Sequence, residues 1–264
     1  MRTIVDVVPT PLLVFGVVGA VVGIVLLFVW AVRRWLPATR DGFDAEVSSQ
    51  MLGVVASLFG LLLAFVVVIE FQAFTAAGDN VGTEADDLAA IIRDSRVFDE
   101  PGGTIVRSAI GDYVRVVVDE EWPLMRDGKE SPAAWRGIDG VFSAMQDYTP
   151  VTPSQVAFYD DSVRRLNAVL DARRDRLGAS DGNDLPALIA ALILVGAIVI
   201  LGYATLVGST SSAFHAVGAG AIAVIVGFSL VVLVTLQFPF SGGLAVDSTP
   251  FKEGGLAQFF APPK

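Results

Sequence analysis

Four long apolar stretches without charged residues dominate the chain, and a polar segment separates the second from the third. The first uncharged run covers 7–32, the second covers 47–69, and the last, 185–246, is long enough for two crossings and a tight turn. A hydrocarbon core of about 30 Å is crossed by about 20 helical residues. The pattern therefore predicts four transmembrane helices in two hairpins. Their predicted positions are about 11–32, 47–70, 186–207 and 213–238.

The polar segment between the hairpins, 75–184, has apolar residues that recur at intervals of three and four, which indicates helices rather than strands. One helix is predicted to begin with Ser131 as N-cap and Pro132 in its first turn. Another is predicted to begin at Thr152, where Gln155 completes a capping box. The insert is therefore predicted to be a helical bundle.

The helix after Thr152 carries an apolar seam at heptad spacing, which Arg173 interrupts. Such a seam requires a partner helix. The simplest partner is the outward continuation of the second span, 84–97, which would form a helical stalk between the membrane and the insert.

These patterns predict an all-α integral membrane protein with four parts. The parts are a transmembrane hairpin in 1–74, an acidic helical insert in 75–184, a second hairpin in 185–240 and a C-terminal tail in 241–264. Four crossings place the insert and both termini on the same side of the membrane. The tail is expected to pack on the insert side or to be loosely ordered.

The side that the insert faces follows from the positions of the basic residues. The short loop Arg33–Arg40 holds three arginines beside a span, which predicts a cytoplasmic loop and an extracytoplasmic insert. Arg2 and the three arginines within 173–176 favour the opposite orientation. The sequence favours an extracytoplasmic insert in a cell membrane and leaves the alternative open.

Composition and charge narrow the classes of function. The net charge is −10, and 75–184 contains 21 acidic against 12 basic residues, an excess that argues against nucleic acid as a partner. The chain has no cysteine and one histidine, His215, which excludes cysteine sites and multi-histidine metal sites. No nucleophile, base pair or cofactor motif emerges. We expect neither enzymatic activity nor a metal or cofactor, and the expected partner is the lipid bilayer.

One stripe of side chains on the second span could line a path for ions. Phe59, Leu63, Val66 and Glu70 are spaced four, three and four apart and share one helical face. In a channel they could form a hydrophobic constriction with a carboxylate at its mouth. The alternative is a packing face whose acid reaches interfacial water.

The most unusual segment of the insert is Asp119, Glu120, Glu121, Trp122 and Pro123. Consecutive helical side chains point about 100° apart, so the three acids do not converge on one Ca²⁺ ion. We interpret the segment as a solvated helix end closed by a proline, with Trp122 covering the bundle.

Two elements carry a resemblance to a known family. These are Glu121, Trp122 and Pro123 in the insert, and Phe238, Pro239, Phe240, Ser241 and Gly242 after the last span. With the four-span layout, they resemble the bacterial bestrophin-like family.

The resemblance implies a likeness to bestrophins, pentameric anion channels with a large helical domain in the cytosol. The arginine loop predicts the opposite side for the insert, and Glu70 at a pore mouth would favour cations. From the resemblance we nevertheless expect a homo-oligomeric ion channel or channel-related protein. The alternative is a non-conducting membrane scaffold or sensor whose insert binds a protein partner.

Overall fold

The fold was obtained as a computed structural model, which describes residues 10–35, 45–182, 186–206 and 212–261. These residues form helices and contain no strand, so the predicted all-α class is confirmed. The long helices are α1 Thr10–Trp35, α2 Ala45–Asp94, α3 Gly102–Val116, α5 Pro132–Asp147, α6 Pro153–Ser180, α7 Ala187–Leu206 and α8 Ser212–Leu236. The short ones are α4 Trp122–Arg126 and α9 Thr249–Lys252. Arg2 and most of the arginine loop lie outside the described residues.

Two compact units make up the chain. The membrane unit comprises Thr3–Gln72 and Asp184–Gln237, and the insert unit comprises Ala73–Asn183 and Phe238–Lys264. Helices α1, α2, α7 and α8 are long and apolar enough to cross a membrane, which confirms the four predicted spans.

Helix α2 continues beyond the predicted end of the second span at residue 70 and ends only at Asp94. No proline occurs between its first and last residues, so nothing in the covalent chain interrupts its hydrogen bonds. The predicted continuation of the second span is therefore one unbroken helix that contributes residues to both units.

The spans of the membrane unit approach closely where glycine removes a side chain. A Cβ atom on Gly227 of α8 would lie 3.3 Å from Cα of Val18 in α1, and one on Gly196 of α7 would lie 2.6 Å from the ring of Phe59 in α2. These two contacts bring the spans together, as small residues do in membrane helix pairs.

The insert unit begins two of its helices as predicted. The hydroxyl of Ser131 accepts from the backbone N–H groups of Ala133 and Ala134. Thr152 and Gln155 form a complete capping box at the start of α6. Helix α6 ends at Ser180, and the φ of Gly182 is 98°, so α6 does not continue as one helix into the third span.

The C-terminal tail belongs to the core of the insert unit. Phe240, Phe251 and Leu256 are buried in the same hydrophobic cluster as the insert helices. The Ser241 hydroxyl donates to the carbonyl of Arg126 at 2.8 Å. The tail therefore completes the bundle rather than trailing from the last span.

Candidate functional site

Four charged side chains lie in the centre of the insert unit, and none of them is exposed to solvent. Glu84 comes from α2, Glu121 from a π-helical turn at Val117–Glu121, and Arg173 and Arg176 from α6. We call these four residues the buried charge cluster. Its formal charge is zero, because two carboxylates face two guanidinium groups.

The ion pairs of the buried charge cluster form a chain from α2 to the π-helical turn. Arg176 donates from Nε to Glu84 Oε2 at 2.7 Å and from Nη2 to Glu84 Oε1 at 3.1 Å. The same Nη2 donates to Glu121 Oε2 at 3.1 Å. Arg173 in turn holds both oxygens of Glu121, with Nη2 to Oε1 at 2.7 Å. Such bidentate pairs fix the helices laterally and satisfy the carboxylates.

Tyr113 of α3 extends the network. Its hydroxyl donates to Glu84 Oε1 and accepts from Arg173 Nη1 at 3.2 Å. Burial and the neighbouring Glu84 raise the pKa of Tyr113 well above its usual range, so the phenol stays neutral. Burial alone would lower the pKa of Arg176, but the charges of Glu84 and Glu121 outweigh that effect and raise it.

Aromatic rings cover both guanidinium groups. The Cζ atom of Arg173 lies 4.7 Å from the centre of the Trp135 ring, and that of Arg176 lies 5.3 Å from the centre of the Trp122 ring. Arg176 also faces Phe251 of the tail at 5.8 Å. Contacts of this kind add cation–π attraction where the cation has lost its water. The rings therefore seal the buried charge cluster from solvent.

The predicted pore stripe of the second span is buried inside the membrane unit. Phe59, Leu63 and Val66 are at most 8% exposed, and they pack in one cluster with apolar side chains of α7 and α8. Glu70 is also buried, at 4% exposure. These contacts favour the packing alternative over a pore lined by this stripe, but the acid is buried and does not reach the surface as that alternative expected.

A second face of the same span has small or polar side chains and is exposed. Its members recur at spacings of three and four, and they are Gln50, Gly53, Ser57, Gly60 and Ala64. We call them the small face. A Cβ atom added to Gly53 or Gly60 would meet nothing within 4 Å. The Ser57 hydroxyl donates to the carbonyl of Gly53 at 2.8 Å, so its own hydrogen bond is satisfied within the helix.

The third face of the span is exposed and bulky. Its large apolar residues are Met51, Val54, Leu58, Leu61, Phe65 and Ile69. At about 100° per residue, the buried stripe, the small face and this bulky face are centred about 120° apart. One side of the second span thus packs within the chain, one suits lipid tails, and one offers neither bulk nor charge from Gln50 to Ala64.

A family model for the Bestrophin-like domain matches residues 19–251 of the chain. The chain belongs to the Bestrophin-like domain family. The predicted resemblance is therefore confirmed. No curated protein and no solved structure matches the chain. The match to the family covers most of the first span, the three other spans, the small face and the whole of the buried charge cluster.

Glu121, in the segment that carries the resemblance to the bestrophin-like family, is buried, although the sequence predicted that it is solvated. Asp119 and Glu120 are exposed, as expected for a solvated surface, but Glu121 is completely buried. Glu121 lies four residues after the buried Val117, so it shares the inward face of this helix and ends the π-helical turn there. The interpretation of three solvated acids is therefore wrong for Glu121.

Of the two other residues in that segment, Pro123 differs from its predicted role and Trp122 agrees with it. Pro123 does not close a helix, because α4 runs through it to Arg126. Trp122 is 8% exposed and packs edge-on against Phe240 and Phe251, as a residue covering the bundle should. The second signature element of this bestrophin-like chain, at 238–242, therefore meets the first through Trp122 and Phe240.

The signal that pointed to the buried charge cluster was Arg173, which interrupts an apolar seam. Arg173 and Arg176 are the cluster's cations, and the seam residue Leu166 is buried beside them in the core of the insert unit. Within the described residues, no group of three histidine, aspartate or glutamate side chains is placed to hold a metal ion.

Proposed function

We propose that this member of the bestrophin-like family is an ion channel formed by several copies of the chain in a membrane. The observation that carries the proposal is the small face of the second span. Membership of the family supports the channel class, and the small face offers a surface on which copies can meet around a common axis.

The small face suits a water-filled path better than it suits lipid. Lipid-facing helix surfaces are normally bulky and apolar, as the third face of this span is. The small face instead has two glycines, an alanine, a serine and a glutamine. Residues of this size leave room at an axis, and Ser57 and Gln50 can hydrogen-bond to water there. The path would be narrow and without charge along this stretch.

The buried charge cluster would act in this protein as a structural lock rather than as a catalytic site. Both carboxylates of the cluster are engaged by guanidinium groups, and the Tyr113 hydroxyl beside them is buried, with a raised pKa that keeps it neutral. A general acid or base needs a proton that it can exchange with a substrate. We accordingly propose that the protein is not an enzyme. Because α2 carries both Glu84 and the small face, loosening the lock would alter the helix that lines the path.

The proposal is tested with single cysteines, because the natural chain has none. Ser57→Cys places a thiol on the small face, and Leu61→Cys places one on the bulky face of the same helix. Each variant is reconstituted in liposomes, and ion flux is measured before and after a membrane-impermeant methanethiosulfonate reagent is added. We expect block for Ser57→Cys and no block for Leu61→Cys. Absence of flux in the unmodified protein, or equal block of both variants, contradicts the proposal.

The second candidate function is a non-conducting scaffold or sensor that binds a protein partner. It is supported by exposed apolar side chains on the insert unit, among them Val151 at 77% and Ile105 at 52% exposure. Such side chains at a surface favour contact with another protein. A protein that carries no ions in liposomes but loses a cellular partner in Val151→Asp favours this function.

We propose that the insert unit faces the outside of a cell membrane. The arginine loop supports this orientation. Two of the arginines that argued against it, Arg173 and Arg176, have a structural role in the buried charge cluster. Ser108→Cys, at an exposed position of α3, tests the side. Labelling of intact cells by an impermeant maleimide supports an outside insert, and labelling only after lysis contradicts it.

A further inference from the structure

A groove of about 480 Å³ opens on the surface of the insert unit, apart from the buried charge cluster. Its floor is formed by Ala89 and Ala90, two small side chains of α2. Gly255 of the tail borders it, and a Cβ atom there would lie 3.1 Å from Cβ of Ala89. Arg165 of α6 borders it on another side. The groove therefore lies between three elements of the insert unit and has an apolar floor.

The charged residues of the groove are separated along α2. Asp86 lies one helical turn before the alanine floor, and Arg93 lies one turn after it. Arg96, just beyond the end of α2, joins Arg93 at the same end. The rise between Asp86 and Arg93 is about 10 Å at 1.5 Å per residue. The groove thus has a negative end and a positive end.

The charged side chains at the two ends of the groove are free to contact a ligand, whereas the other charged side chains of the groove are paired with one another. Arg165 donates to Asp87 at 2.9 Å and to Asp161 at 2.6 Å, so these three charges are engaged with one another. Arg93 is 70% exposed and, within the part of the chain that the structure describes, approaches only Asp94, at 3.9 Å. Among the described residues, neither Arg96 nor Asp86 has a hydrogen-bond or ion-pair partner.

We propose that this groove binds a small zwitterion, whose carboxylate contacts Arg93 and Arg96 and whose ammonium group contacts Asp86. The apolar part of such a ligand would lie over Ala89 and Ala90. Two guanidinium groups suit a carboxylate, because each donates paired N–H groups to its oxygens. A simple anion would meet Asp86, and a simple cation would meet the arginines, so a ligand with both charges fits best. The proposal does not depend on whether the protein conducts ions.

The test uses the full-length protein in detergent and three probes of similar length. The first probe, 6-aminohexanoate, has both charges. The second, N-acetyl-6-aminohexanoate, lacks the positive charge, and the third, 6-aminohexanamide, lacks the negative one. Binding is measured by titration calorimetry and by the shift of the unfolding temperature. We expect 6-aminohexanoate to bind at least about tenfold more tightly than either single-charge probe.

Variants place the binding in the groove. Arg93→Gln with Arg96→Gln removes the positive end, and Asp86→Asn removes the negative end. Each is expected to weaken 6-aminohexanoate binding about tenfold or more. The matched control is Arg136→Gln, at an exposed arginine of α5 outside the groove. All four positions have exposed side chains, so these variants are expected to leave the fold intact, and circular dichroism checks it.

Three results would overturn the proposal. The first is absence of binding by any probe to the natural protein. The second is equal binding of the acetylated probe, since it would show that the groove selects an anion rather than a zwitterion. The third is 6-aminohexanoate binding that neither groove variant weakens, which would place the binding elsewhere.

Discussion

Replacing Arg176 by methionine is the sharpest perturbation of the buried charge cluster. The side chain donates three hydrogen bonds to Glu84 and Glu121 and lies over Trp122. Methionine keeps the aliphatic part of the side chain but not the guanidinium group, and it leaves two carboxylates opposite one guanidinium group. The cluster would then change from neutral to a net charge of −1 in a site that has no exposure to solvent.

Removing one partner of a buried ion pair costs about 3–5 kcal/mol, because the remaining charge has no compensation. For a unit of this size the loss corresponds to a fall in the unfolding temperature of about 10–20 °C. Adding Glu84→Gln to Arg176→Met restores neutrality, since the pair between Glu121 and Arg173 stays intact. We expect the double variant to be more stable than Arg176→Met alone by about 2 kcal/mol.

Tryptophan fluorescence can report on the insert unit alone. Trp122 and Trp135 face the guanidinium groups of the cluster, whereas Trp30 and Trp35 are exposed on α1. Replacing the two α1 residues by phenylalanine leaves only the reporters in the insert unit. Thermal unfolding is then followed in detergent for each variant in this background.

The control is Arg174→Met, which removes an exposed arginine of the same helix whose partner, Asp171, is also exposed. A surface pair of this kind contributes about 0–1 kcal/mol, so this variant should unfold close to the parent. If Arg176→Met unfolds no earlier than Arg174→Met, the cluster is not the lock that its geometry indicates. If the double variant is as unstable as Arg176→Met, charge balance is not the cause.

Two further predictions concern Tyr113 and the packing of the spans. Because the pKa of Tyr113 is raised, its contribution to stability is full below about pH 10, where the unfolded phenol titrates, and is lost as the pH rises towards the folded value. Denaturant unfolding between about pH 9 and pH 11 should therefore show a steeper loss of stability in the natural protein than in Tyr113→Phe, and equal slopes would contradict this. Gly196→Ala would place a methyl group against the Phe59 ring and should destabilise the membrane unit by about 1–3 kcal/mol. Gly202→Ala, which meets nothing within 4 Å, should change the unfolding temperature little, and a similar fall for both variants would refute the packing argument.

Features of the fold that depend on residues close together in the chain could be predicted from the sequence. The four spans follow from uncharged length, and the starts of α5 and α6 follow from Ser131 and the Thr152 capping box. Each of these signals acts within a few residues, so a single sequence contains all of it.

The buried charge cluster could not be predicted, because its partners are far apart in the chain. Glu121 pairs with residues 52 and 55 positions away, and Arg176 pairs with Glu84 across 92 positions. Glu121 lies four residues after Val117, so a count at 100° per residue places it on the buried face with Ile110 and Val117, but the count names none of its partners. Arg173 in an apolar seam indicated an unusual position for a charged residue, but the sequence did not indicate which residues it pairs with.

The face of the second span that we propose for contact with other copies also could not be predicted from the sequence. Apolar spacing identified the stripe from Phe59 to Glu70, yet an aromatic and aliphatic stripe is equally typical of packing against other spans. Only the positions of α7 and α8 show that this stripe is covered and that the small face from Gln50 to Ala64 is left exposed.

The most direct test of the proposed channel is a structure of the assembled protein in a lipid bilayer. The account predicts several copies around a continuous axial path, with Ser57 facing the path and the stripe at Phe59 packed inside each copy. A single copy, or an assembly whose small faces close against neighbouring helices and leave no axial path, would contradict it.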